Sequence, residues 1–69
     1  MPEWSADFIN DPNSDFDVVL EVLCNDYDVA VILKKKKKIE FTWYANQKDL
    51  TIPGELLLEL IKVAEERLV

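Results

Sequence analysis

The chain has 69 residues, a formal charge of −6, no histidine and a single cysteine, with 49% hydrophobic and 32% charged residues. That length suits one small domain with a thin core, the apolar content is too high for intrinsic disorder, and the acidity opposes general binding to polyanions. Without His there is no Ser–His or Cys–His nucleophilic pair, and Cys24 alone supplies neither an internal disulfide nor the usual zinc ligands.

Charge is segregated along the chain. The first 28 residues hold Glu3, Asp7, Asp11, Asp15, Asp17, Glu21, Asp26 and Asp28 without one Lys or Arg, and five of the eight basic residues then follow as Lys34, Lys35, Lys36, Lys37 and Lys38. The N-terminal residues have neither a basic segment nor an apolar one, so no export signal is expected; together with the lack of a disulfide framework this points to the cytoplasm.

In chain order, Trp4, Phe8 and Ile9 precede the turn-rich stretch 10–14, which predicts a short strand or extended arm over 4–9 and then a turn. Residues 16–24 alternate, with Phe16, Val18, Leu20, Val22 and Cys24 on one side and Asp17, Val19, Glu21 and Leu23 on the other. A helix competes here, since Ser14 and Asp17 resemble a capping box and Phe16, Val19, Leu20 and Leu23 share a helical stripe; the β-branched content and the turn that follows favour a strand. That turn is Asn25-Asp26. Tyr27, Val29, Val31 and Leu33 then alternate in a second strand, the lysines make a second turn, and Ile39, Phe41 and Trp43 alternate in a third.

Residues 45–49 read as a loop and 50–52 as a short edge strand. Pro53 suits a helix start, Glu55 and Arg67 complement the helix dipole at its two ends, and Leu56, Leu57, Leu60, Ile61, Ala64 and Leu68 recur at helical spacing. The expected fold is therefore α+β: a small antiparallel meander of three to four strands packed against one C-terminal helix. It forms a single domain over 1–69, with an arm or a short strand and turn at 1–15, the meander at 16–52 and the helix at 53–68.

One helix covers one face of a sheet. Strict alternation assigns Phe16, Val18, Leu20, Val29, Val31, Phe41 and Trp43 to the helix side and leaves Val19, Leu23, Ala30, Ile32, Thr42 and Tyr44 on the other. That second set is too apolar to stand in water, so a cover is expected: the N-terminal arm, a second copy of the chain using Val19, Leu23, Ala30, Ile32 and Tyr44, or another protein.

Specific chemistry finds little purchase. Residues 11–17 place oxygen-bearing side chains at alternate positions, as in a calcium-binding EF-hand loop, but Phe16 stands where Gly is needed and Val22 where the bidentate Glu belongs. Gly54 is the one glycine, so no phosphate-cradling loop is present, and Cys24 reads as a small buried hydrophobe. No catalytic role, metal or cofactor is expected. Lys34 to Lys38 read first as a solvated hairpin tip and second as a contact for phosphate or an acidic protein.

The functional expectation is a small acidic protein-interaction module, an inhibitor or immunity-type protein. Asp7, Asp11, Asp15, Asp17, Asp26 and Asp28, with Tyr44 or Trp4 as aromatic anchor, would bind a basic partner such as a nucleic-acid-processing protein. The alternatives are a structural homo-oligomer through the second sheet face and, less favoured, nucleic-acid binding through the lysine hairpin.

Overall fold

The computed structural model describes residues 3–12, 15, 17–44 and 50–68. Four strands, β1 (Trp4–Asp11), β2 (Asp17–Cys24), β3 (Tyr27–Lys35) and β4 (Lys38–Trp43), precede one helix, α1 (Gly54–Arg67). Neighbours in sequence are neighbours in the sheet, all pairs are antiparallel, and the helix packs on one face, giving the α+β meander that the hydrophobic periodicity predicts.

Residues 17–24 are strand, which settles the helix–strand competition there; Ser14 and Phe16 lie outside the described residues, as does the 45–49 loop. Each tight hairpin turns on two residues with positive φ: Asn25 (52°) and Asp26 (67°) between β2 and β3, and Lys36 (51°) and Lys37 (67°) between β3 and β4. Asn and Asp tolerate this left-handed conformation, whereas two lysines adopt it at a steric cost. Asn25 also anchors the chain entering β1: its Oδ1 accepts from the Glu3 N–H (2.9 Å), and its own N–H donates to the Glu3 carbonyl (2.7 Å).

The N-terminal arm is not a cover for the second face. It is β1, paired with β2 from Trp4↔Cys24 to Asp11↔Asp17, and its Trp4 and Ala6 pack beside the core on the helix side. The fourth strand is therefore N-terminal. Residues 50–52, expected as an edge strand, make no strand; Leu50 and Ile52 fold their side chains against the core instead.

A β-bulge in the β2–β3 pair corrects the face assignment. Val22 faces Ala30 and Leu23 faces Asp28, so Val29 is an extra residue on β3. Val29 and Ala30 consequently both enter the core beneath the helix, Ile32 follows two residues on, and Val31 turns to the other face. Ala30 and Ile32, expected on a possible oligomer face, have no exposed surface and pack against Leu60, Ala64 and Leu68 of the helix segment.

The core thus comprises Leu20, Val22, Cys24, Val29, Ala30 and Ile32 from the sheet with Leu60, Ala64 and Leu68 from above it. Burying each large aliphatic chain is worth roughly 1.5–3 kcal/mol before entropy is subtracted. Pro53 precedes the first helical turn, whose Leu57 N–H donates to the Pro53 carbonyl (3.1 Å), and the helix ends where the extended Leu68 donates back to Ala64 (2.9 Å).

Candidate functional site on the open face of the sheet

The face away from the helix collects carboxylates by register. Asp7 stands directly opposite Glu21, and Asp11 directly opposite Asp17, on the β1–β2 ladder; Asp28 faces Leu23 on the same side, diagonal to Glu21. Like charges in facing positions repel, an arrangement that sheet stability alone does not favour.

Glu21 sits at the centre of this group. Partial burial raises its pKa, and Asp28 adds to the rise through its charge and through a side-chain hydrogen bond, with further contributions from Asp7 and Asp11. Tyr44 joins from just beyond β4, where its N–H donates to the Val29 carbonyl at 3.1 Å and extends the strand by one residue. Its hydroxyl pKa is also raised, first by burial and then by the charges of Asp28, Glu21 and Asp11.

The floor of the face is apolar and largely closed. Val19 is 1% exposed and Val31 7%, although neither belongs to the cluster beneath the helix. Ile9, Leu23, Leu33 and Tyr44 are half-buried around them. The face is consequently a shallow apolar floor with a carboxylate rim, and the apolar surface anticipated there is mostly withdrawn from water among the described residues.

The residues proposed as partner contacts divide accordingly. Asp7, Asp11, Asp17, Asp28 and Tyr44 share the open face. Asp15 and Asp26 sit in turns at opposite ends of β2, a strand roughly 25 Å long, so they do not join one patch. Trp4 packs against the core on the helix side, away from the carboxylates. Glu21 is the residue that sequence reasoning passed over. Its signal was present, because it alternates in phase with Asp17, Val19 and Leu23.

The lysine run does not act as a block. Lys34 is half-buried and turns to the helix, its Nζ donating to the carbonyls of Glu65 (3.2 Å) and Leu68 (3.3 Å), where a cation also complements the helix dipole. Lys35 faces Lys38 across the hairpin, and Lys36 and Lys37 form its exposed tip.

Among the described residues no group of three or more His, Cys, Asp or Glu side chains is arranged to hold a metal ion, so the carboxylates line a surface without converging on one point. Among the same residues no helix is long and apolar enough to cross a membrane. Cys24 is a free, buried thiol in the core. Comparison with protein-family models, with curated proteins and with solved structures finds no match for this chain.

Proposed function

We propose that this protein is a small cytoplasmic interaction module of the inhibitor or immunity type, whose open sheet face binds a basic partner protein. One observation carries the reading: Asp7, Asp11 and Asp28 surround Glu21 on one face, with Tyr44 beside them. Gathering like charges raises the free energy of the isolated fold, and an arriving cationic surface relieves that repulsion, so part of the binding energy is held in the unbound sheet. Tyr44 supplies a half-buried aromatic ring of the type that anchors small interfaces. A nucleic-acid-processing protein presents a suitable cationic surface, with the carboxylates standing where phosphates would.

Self-association through the same face fits less well, because two copies would bring their carboxylates together. Nucleic-acid binding through the lysine hairpin is also disfavoured: Lys34 is engaged by the helix end, and the net charge of the chain is repulsive.

The reading is tested by affinity capture from a lysate of the native host at low and at moderate salt, with mass spectrometry of what is retained. A basic protein held in near-stoichiometric amount at low salt and released at moderate salt supports it. A clean homodimer with no retained partner contradicts it.

A further inference from the structure

The β2–β3 ladder ends early. Its last pair is Leu20↔Ile32, yet β2 reaches back to Asp17 and β3 runs on to Lys35. Over the same stretch β2 stays paired with β1, through Ile9↔Val19, Asn10↔Val18 and Asp11↔Asp17. β3 likewise stays paired with β4, through Leu33↔Glu40, Lys34↔Ile39 and Lys35↔Lys38. The sheet therefore splits between its two central strands. Lys34 ties the end of β3 to the carbonyls at the helix terminus, while the start of β2 follows β1.

The split is a cleft of about 410 Å³, within the range of pockets that hold a ligand, roughly 300–1,000 Å³. Asp17, Val18 and Val19 form one wall, Leu33, Lys34 and Lys35 the other, and Arg67 closes the helix side. Val18 is 50% exposed, an unusual condition for a valine on the side of a sheet that carries the core. Three cations stand against one carboxylate in a chain that is otherwise strongly acidic. Both walls are strands whose ladder toward each other is unclosed among the described residues, which is the geometry that recruits an extended segment by main-chain pairing.

We propose that this cleft takes an extended acidic segment of a partner protein as an added strand, with backbone hydrogen bonds to β2 or β3; on its helix side an aliphatic side chain meets Val18 and a carboxylate Arg67, and on its open side an aliphatic side chain meets Leu33 and a carboxylate Lys35. The cleft shares Asp17, Val19 and Leu33 with the edge of the open face, but its cations, Lys34, Lys35 and Arg67, give it the opposite charge preference. Lys34, engaged with the helix end, sets the width of the cleft.

The test is an amide chemical-shift titration of the isotope-labelled full chain with a blocked glutamate–valine hexapeptide, Glu-Glu-Val-Val-Glu-Glu, which as a strand shows both residue types on each face. Two control peptides accompany it: a lysine–valine version, and the glutamate–valine peptide N-methylated at alternate residues so that it cannot pair as a strand. Shifts centred on residues 17–19, 33–35 and 67, at least roughly tenfold weaker binding by the double variant K35Q/R67Q, and similar loss on N-methylation are expected, given two charge-assisted contacts and a main-chain ladder. Equal shifts at residues 17–19, 33–35 and 67 with the lysine–valine peptide, unchanged binding of the N-methylated one, shifts from the glutamate–valine peptide centred on residues 7, 21, 28 and 44, or no shifts at millimolar peptide would each overturn the proposal. The peptide comparisons use the unaltered protein, so they decide the matter whatever the variants do to folding.

Discussion

Glu21 on β2 and Asp28 on β3 are joined by a side-chain hydrogen bond on the open face of the sheet, two carboxyl groups in contact where a cross-strand pair of opposite charge would stabilise the fold. Burial and this neighbour hold the Glu21 carboxyl above the ordinary carboxylate range. The native state thus binds more protons than the unfolded chain in the interval between the two pKa values. Stability from this group is complete below the unfolded value, about 4.3 for Glu, and is lost as pH rises through the elevated native one. The urea midpoint is expected to rise as pH falls from neutrality through the elevated native value toward the unfolded one, about 4.3. The variant E21Q should be more stable than the parent near pH 7, by roughly 0.2–1 kcal/mol as for other cross-strand charge effects, and should flatten that dependence. A midpoint that falls steadily over this interval, or an E21Q variant less stable at neutral pH, would refute the electrostatic description of the face.

Tyr44 extends the same reasoning to alkaline pH. Its hydroxyl titrates above the usual tyrosine range because burial and the carboxylates of Asp28, Glu21 and Asp11 oppose phenolate formation. Its stabilising contribution is therefore present below the unfolded value, about 10, and disappears as pH climbs through the raised native one. Absorbance titration near 295 nm should show that the transition removed by Y44F lies above the usual tyrosine range, and salt should move it partway back.

Lys34 separates from its four lysine neighbours in function. Replacing it with Met, which keeps most of the stem and removes the two bonds to Glu65 and Leu68, is expected to cost about 1–2 kcal/mol in denaturant unfolding. Lys36→Gln and Lys37→Gln should be close to neutral. Equal losses at all three positions would show that the tie to the helix end is not what distinguishes Lys34.

The hairpin tip itself is improvable. Lys36 and Lys37 both hold positive φ, a conformation that costs a non-glycine residue roughly 1–2 kcal/mol. The pair K36N/K37G, matching the favoured residues of such a turn, is expected to stabilise the fold by about 1 kcal/mol without changing its binding. Destabilisation would mean that the turn departs from this geometry.

Much of this architecture was legible in the residues. Alternation located β2, β3 and β4, and the spacing of Leu60, Ala64 and Leu68 located the helix, because burial on one side imposes those periods directly. The bulge at Val29 was not legible. Tyr27, Val29, Val31 and Leu33 keep perfect alternation on paper, and only the packing of Ala30 and Ile32 beneath the helix reveals that the phase inverts. That single extra residue reverses the meaning of an Ile32→Glu substitution: it buries a charge in the core and should unfold the chain, so it does not probe an outer face. The N-terminal segment was legible in part: Trp4, Phe8 and Ile9 allowed a short strand or an arm over 4–9, and pairing with β2 decides for the strand and carries it on to Asp11. For the site, Asp7, Asp11, Asp17 and Asp28 were identified from charge density alone, whereas Glu21 needed the register that sets it opposite Asp7.

The most direct test of the proposed role compares the parent with the variant D7N/D11N/E21Q/D28N as bait for the basic partner, at low and moderate salt, after circular dichroism has established that both are folded. The account predicts that the parent retains the partner at low salt and that the variant loses it under both conditions. Equal retention by the folded variant, or retention by the parent that is indifferent to salt, would contradict the acidic face as the binding surface.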